Sequence, residues 1–178
     1  MRGSRRRRAS LRADWGARWR PEHGVLVPAA LEHALASRAP DDALCFQLWP
    51  ERELRTAILH VQLGAAEGAP EEHEGAASPV EHPLLGPGLR IVRRTSIEAP
   101  EAGGPVPLVG VDLVWSDGVA LVRASLEPTL PPLAAEVLPL AHALVASLEV
   151  EGPEGPFRAS APQGSFEAWG VAGVGPGA

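Results

Sequence analysis

The stretch Val109-Gly-Val-Asp-Leu-Val-Trp-Ser-Asp-Gly-Val-Ala-Leu-Val-Arg-Ala-Ser-Leu126 limits the possible folds more than any other segment of the chain. Two alternating runs flank Asp117-Gly118, a dipeptide suited to a type I′ turn because that turn needs φ > 0 at both central positions. Closing the turn there pairs Ser116 with Val119 and Trp115 with Ala120. Val109, Val111, Leu113 and Trp115 then share a wholly apolar face with Ala120, Val122, Ala124 and Leu126. The opposite face sets Asp112 against Arg123 as an opposite-charge cross-strand pair. A slip of one residue would put Arg123 against Val111 and lose both agreements.

Pro131-Pro132 suits the first turn of a helix. Leu133, Val137, Leu140 and Leu144 then recur at helical spacing, with Pro139 predicted to kink the interior. Only Glu136 and His142 are strongly polar, so the helix is expected to be buried over most of its girth. Ser147-Leu-Glu-Val150 reads as a closing strand. The class is therefore α+β: an antiparallel sheet with one or two helices packed on its face, in a single domain with disordered tails.

Upstream, Val25-Leu-Val27 is a short strand candidate, and a helix is expected from Pro28 to Arg38 with Leu31, Ala34 and Leu35 on one face. Leu44, Phe46 and Leu48 alternate with Cys45, Gln47 and Trp49. After a turn at 50–53, Ala57, Leu59, Val61 and Leu63 alternate with Thr56, Ile58, His60 and Gln62, which predicts a second antiparallel pair. Residues 64–88, rich in Gly, Pro, Ala and Glu, read as a flexible acidic loop. Residues 89–97 return to strand, and 98–105 read as loop. This divides the chain into a basic disordered leader (1–22), an α+β domain (23–151) and a Gly/Pro-rich tail (152–178) that Phe157, Phe166 or Trp169 could pin to the body.

Lys, Asn and Tyr are absent. Their codons are AT-rich, so the gap reports a GC-rich genome, and the use of Arg alone carries no message about phosphate. Residues 1–20 hold eight arginines against one acid, Asp14, for a charge of +7; the rest holds eight against twenty-one, for −13. A body of that sign makes a poor nucleic-acid surface, so nucleic-acid binding falls to the leader, Arg5 to Arg8 with Trp15 and Trp19, as a secondary reading. The single cysteine, Cys45, excludes an intrachain disulfide. No apolar run of 18 residues exists, and Arg12, Asp14, Arg18 and Arg20 break up any signal-peptide core, so no membrane association and a cytoplasmic location are expected.

The densest set of metal-ligating types is Glu71-Glu72-His73-Glu74 with Glu81-His82. Carboxylates and imidazoles bind Zn, Ni or Mn, which makes Glu72, His73, Glu74 and His82 the metal candidates for a small metal-dependent enzyme or metal-binding protein. The segment lacks the i, i+4 spacing a helix would impose, and a solvated acidic loop is the simpler reading. His60 is expected to face away from the core, His142 to sit in or beside it, and Cys45 to pack mid-strand. Ser116-Asp117 lacks the strand-to-helix elbow of a nucleophilic serine, and no helix follows Gly170, Gly173 and Gly175 to receive a phosphate. No catalytic residue and no cofactor are expected.

Residues 89–150 run strand, loop, strand, Asp-Gly turn, strand, helix, then Ala146-Ser-Leu-Glu-Val150. This order resembles the C-terminal half of the PsbP-like superfamily, which includes DcrB-like proteins, and Val25-Leu-Val-Pro28 resembles its opening "v-x-v-P". The resemblance implies a helix-flanked antiparallel sheet without catalytic residues, acting as an assembly factor, adaptor, lipoprotein or secretion-effector chaperone. The function expected is a non-enzymatic protein-binding, adaptor or chaperone-like domain. A protein partner or a homodimer would dock on the sheet face carrying Trp49, Val114 and Leu121.

Overall fold

The alternating runs pair into one antiparallel sheet. The computed structural model describes residues 12–50, 55–66, 75–152 and 155–160. The strands are β1 (Asp42–Leu48), β2 (Ala57–Ala65), β3 (Gly75–His82), β4 (Gly86–Ala99), β5 (Gly104–Ser116) and β6 (Ala120–Thr129). They lie in the order β1-β2-β6-β5-β4-β3. Helix α1 (His23–Ala36) precedes β1, helix α2 (Pro131–Ala146) follows β6, and a small ribbon of β7 (Glu151–Gly152) and β8 (Gly155–Pro156) ends the described chain. The expected α+β class is the one that forms.

One sheet face supplies the core. Leu48, Leu59, Val61, Val111, Leu113, Trp115, Val122 and Leu126 pack beneath α2. Each such side chain contributes about 1.5–3 kcal/mol when fully buried. The helix buries a single stripe, Leu133, Ala134, Val137, Ala141 and Val145, and not most of its girth. Its outer side faces solvent, with Leu140 43% exposed and His142 exposed beside it. Among the described residues nothing packs against the far side of this helix, whatever its composition.

The 109–126 hairpin forms with a different register. Ser116 pairs with Leu121, Trp115 with Val122 and Asp112 with Ser125, two residues along β6 from the expected pairing. The turn explains the shift. The Asp117 carboxylate accepts the N–H groups of Val119 (2.8 Å) and Ala120 (2.7 Å), while the Ser116 hydroxyl accepts that of Gly118 (3.0 Å). These bonds widen the connection beyond the two residues of a type I′ turn. A two-residue shift preserves the side-chain faces, so the apolar face is unchanged.

Other elements depart further. Val25 to Val27 are helical, and α1 begins five residues before Pro28, which sits inside it. The stretch likened to an extended "v-x-v-P" is therefore the first turns of a helix. The expected leader is ordered from residue 12: Trp15 is 3% exposed and makes edge contacts with His23 (4.9 Å) and Trp49 (5.5 Å). Packing of Trp15 on His23 and Trp49 outweighs the high charge of that segment. Residues 1–11 lie outside the described set.

The expected loop at 64–88 contains β3. Its Pro79 sits on an edge strand, where a missing N–H costs no ladder bond. The expected loop at 98–105 is half strand, because β4 runs to Ala99 and β5 starts at Gly104, with a 3-10 turn at Pro100–Ala102 between them. The closing strand expected at 147–150 is replaced by the 151–156 ribbon. Phe157 beyond it is buried in the core, with its N–H donated to the Val150 carbonyl (2.7 Å). Phe166 and Trp169 lie outside the described residues.

Gly88 on β4 marks a close approach of backbone to ring. A Cβ there would lie 2.5 Å from Trp115 Cδ1 and 2.6 Å from the Val114 carbonyl oxygen. Gly88→Ala is expected to cost about 1–3 kcal/mol through overpacking. Chemical denaturation checks this, and a variant as stable as the parent would contradict the packing.

Candidate functional site

The second sheet face carries a belt of polar side chains from β1 to β4. Register places them together: Cys45 opposite His60, His60 opposite Ser125, Gln62 opposite Arg123, and Asp112 opposite Ser125. Helix α1 covers the β1 end, where Gln47 donates to the Ala30 carbonyl (3.0 Å) and the Cys45 thiol lies 3.9 Å from that of Ala34.

Asp112 anchors the middle of the belt at 1% exposure. Arg93 Nη2 and the Ser125 hydroxyl donate to Oδ1 at 3.1 and 2.5 Å, and Arg123 Nη2 donates to Oδ2 at 2.9 Å. Gly110, the β5 partner of Arg93, leaves room for the arginine to cross: a Cβ there would meet Arg93 Nη2 at 3.2 Å.

A second cluster lies at the β1 end. His60 Nδ1 sits 2.6 Å from Asp42 Oδ2, and Nε2 sits 2.9 Å from Glu127 Oε1. Asp42 also accepts the Ala39 N–H (2.9 Å) and the Gln62 amide (3.2 Å). Strict alternation would place Asp42 with Leu44 on the core face. A β-bulge prevents this, because the pairing jumps from Asp42 opposite Gln62 to Leu44 opposite Val61. The extra residue turns Asp42 to the side of Cys45 and His60. As a result the Asp42 carboxylate, the Cys45 sulfur and the His60 ring nitrogen all lie within 4.8 Å of one another.

A carboxylate against each ring nitrogen of His60 favours the form in which both nitrogens donate, the imidazolium. Burial alone would lower its pKa, but the bonds to Glu127 and Asp42 outweigh burial and raise it. Burial likewise works to raise the pKa of Asp42, and the bonds from His60 and the Ala39 N–H overcome this and lower it. Burial, reinforced by Asp42 and Glu127 and opposed by Arg38, raises that of the Cys45 thiol. The imidazolium form is no base, and the raised thiol pKa disfavours a thiolate at Cys45. The cluster holds protons.

The residues singled out from sequence fare unevenly. Glu72, His73 and Glu74 lie outside the described residues. His82 is buried, its Nδ1 accepting the Leu84 and Leu85 N–H groups while Nε2 donates to the Val145 carbonyl at 2.7 Å. It ties the β3–β4 turn to the end of α2 and has no free lone pair for a metal. Val114 is buried, Trp49 is half-buried against Trp15, and Leu121 is half-buried. These three do not make an exposed apolar patch, because the face they share is built around ion pairs. His60 does face away from the α2 core, as expected, but it is buried.

Scans of family models, curated proteins and solved structures give no match to this chain. Among the described residues, no helix is long and apolar enough to cross a membrane.

The cluster gives stability a defined pH dependence. The raised pKa of His60 contributes stability that is complete below about pH 6.5 and is lost as pH rises through the folded-state value. The lowered pKa of Asp42 contributes stability that is present above about pH 4 and is lost as pH falls. Melting temperature is therefore expected to decline from pH 6 towards pH 9 in the parent chain, with a flatter profile in His60→Gln. Parallel profiles in the two proteins would contradict the assignment.

Proposed function

We propose that the chain is a non-catalytic protein-binding domain that docks through the free edge of a protruding β-ribbon, with a second copy of itself as the first partner. The observation that carries this reading is the overhang of β4 and β5. Among the described residues, pairing of β3 with β4 ends at Gly75 opposite Arg93, and pairing of β6 with β5 ends at Thr129 opposite Val109. Pairing of β4 with β5 continues to Ala99 opposite Gly104. An unsupported two-stranded ribbon is marginal in water. This one keeps Thr95, Ile97, Val106 and Leu108 on a single face, with Ile97 53% exposed.

The two edges of the ribbon are not equivalent. Pro105 and Pro107 have no N–H to give β4, so those positions face outward and deny that edge to an added strand. Opposite them, Ser96 and Glu98, with Arg94 in the same alternation, turn their main-chain groups outward from β4. Among the described residues nothing pairs with this edge. Its sequence, Arg94-Thr-Ser-Ile-Glu98, is self-complementary in the antiparallel sense. Pairing about a twofold axis at Ser96 sets Arg94 against Glu98 of the second copy twice over and Thr95 beside Ile97. The adaptor roles implied by the resemblance at residues 89–150 support the same class.

Sedimentation equilibrium of the full chain tests the proposal, with a concentration-dependent dimer as the expected result. Arg94→Glu should weaken it about tenfold or more, and adding Glu98→Arg should restore it, since two cross-strand charge pairs at up to about 1 kcal/mol each reverse sign and then recover. A monomer at every concentration, or a dimer indifferent to Arg94→Glu, would reject the reading.

A further inference from the structure

We propose that Asp42, Cys45 and His60 form a binding site for one zinc-class divalent cation, with Glu127 as the residue that positions the histidine. The inference is independent of the ribbon and rests on the bulged β1 end of the polar face.

The three ligand atoms already converge to within 4.8 Å of one another. Tetrahedral zinc with bonds of about 2.0–2.3 Å separates its ligand atoms by about 3.3–3.8 Å, so closure draws the farther atoms in by about 1 Å and opens the 2.6 Å Asp42–His60 contact by a similar amount. The strand pairing prepares the arrangement, since Cys45 and His60 are direct cross-strand partners on one face. Asp42 joins them only because of the bulge.

Glu127 supplies what a metal-ligating histidine needs behind it. With Nε2–H donated to Glu127 at 2.9 Å, the ring holds its orientation and Nδ1 becomes the ligating atom. Nδ1 is the nitrogen that faces Asp42 at 2.6 Å, so a cation would enter between them in place of the hydrogen bond as the two side chains part. Sulfur and imidazole together select zinc-class ions over magnesium and calcium, and three protein ligands leave a fourth position for water.

The exchange conserves the charge of the cluster. Without a cation, the carboxylates of Asp42 and Glu127 and the His60 imidazolium sum to −1, with the Cys45 thiol neutral. Binding releases the Nδ1 proton and the thiol proton as one divalent cation enters. The protein gives up two positive charges and gains two, and the cluster stays at −1. Arg38, which donates to the Asp42 carbonyl at 3.3 Å, is the cationic neighbour that offsets the remainder.

The test titrates cobalt(II), then zinc(II), into the full chain after chelator treatment. One equivalent should bind, with a sulfur-to-cobalt charge-transfer band, release of about two protons at neutral pH, and a melting temperature raised by zinc. Cys45→Ser, nearly isosteric and expected to fold, should abolish the band and the thermal shift. Glu127→Gln should keep the band and weaken affinity about 10–100-fold. His73→Ala should change nothing. No one-to-one binding, or binding unaltered by Cys45→Ser, would overturn the proposal, as would binding lost on replacing His73 alone.

Discussion

The buried carboxylate of Asp112 is the contact on which the arrangement of the sheet depends. It lies on β5 and takes bonds from Arg93 on β4 and from Arg123 and Ser125 on β6. A charge so removed from water is costly unless its oxygens are filled, and here donors from both flanking strands fill them. Apolar packing on the opposite face cannot supply the same information. Moving β6 by two residues keeps every apolar side chain on the core face, as the difference between the expected and observed hairpin registers illustrates. The same move would take Ser125 away from Asp112. The polar face therefore selects among registers that the core face accepts equally.

The two faces of the sheet divide the work. The α2 face buries the hydrophobic side chains that drive folding. The other face carries two adjoining ionic clusters, linked where His60 lies beside Ser125 and Gln62 beside Arg123. In the Asp112 cluster both carboxylate oxygens are filled by donors from the flanking strands. The Asp42–His60–Glu127 cluster holds exchangeable protons next to a thiol, which gives it a chemistry the first lacks. Both stand apart from the β4–β5 ribbon, whose pairing runs on beyond the described ends of β3 and β6.

Much of the architecture was legible in the sequence. Alternation located β1, β2, the first part of β4 and the 109–126 hairpin, and Pro131-Pro132 marked the start of α2. The misses have physical causes. β3 was hidden because Pro79 and short polar residues weaken its alternation, and the ribbon because Pro105 and Pro107 read as breakers although edge positions tolerate them. Trp15 was assigned to a charged leader, but aromatic packing on Trp49 and His23 orders it. The cluster at β1 escaped for a subtler reason. A period of two puts Asp42 on the core face, and only the bulge, invisible to periodicity, brings it to His60. The available signal was a histidine in an apolar strand directly across from the lone cysteine. Composition pointed instead to the acidic segment at 71–82, where the one described histidine, His82, serves as a main-chain tie.

The central claim is that the Asp112 carboxylate fixes the joining of β4, β5 and β6. Chemical denaturation of Asp112→Asn, with amide hydrogen exchange followed strand by strand, tests it most directly. The expected loss is about 2–3 kcal/mol, somewhat below the usual cost of breaking a buried ion pair because both arginines reach water. Protection should fall in β5 and β6 together. A variant within about 0.5 kcal/mol of the parent, with protection unchanged in both strands, would show that the core face alone sets the register.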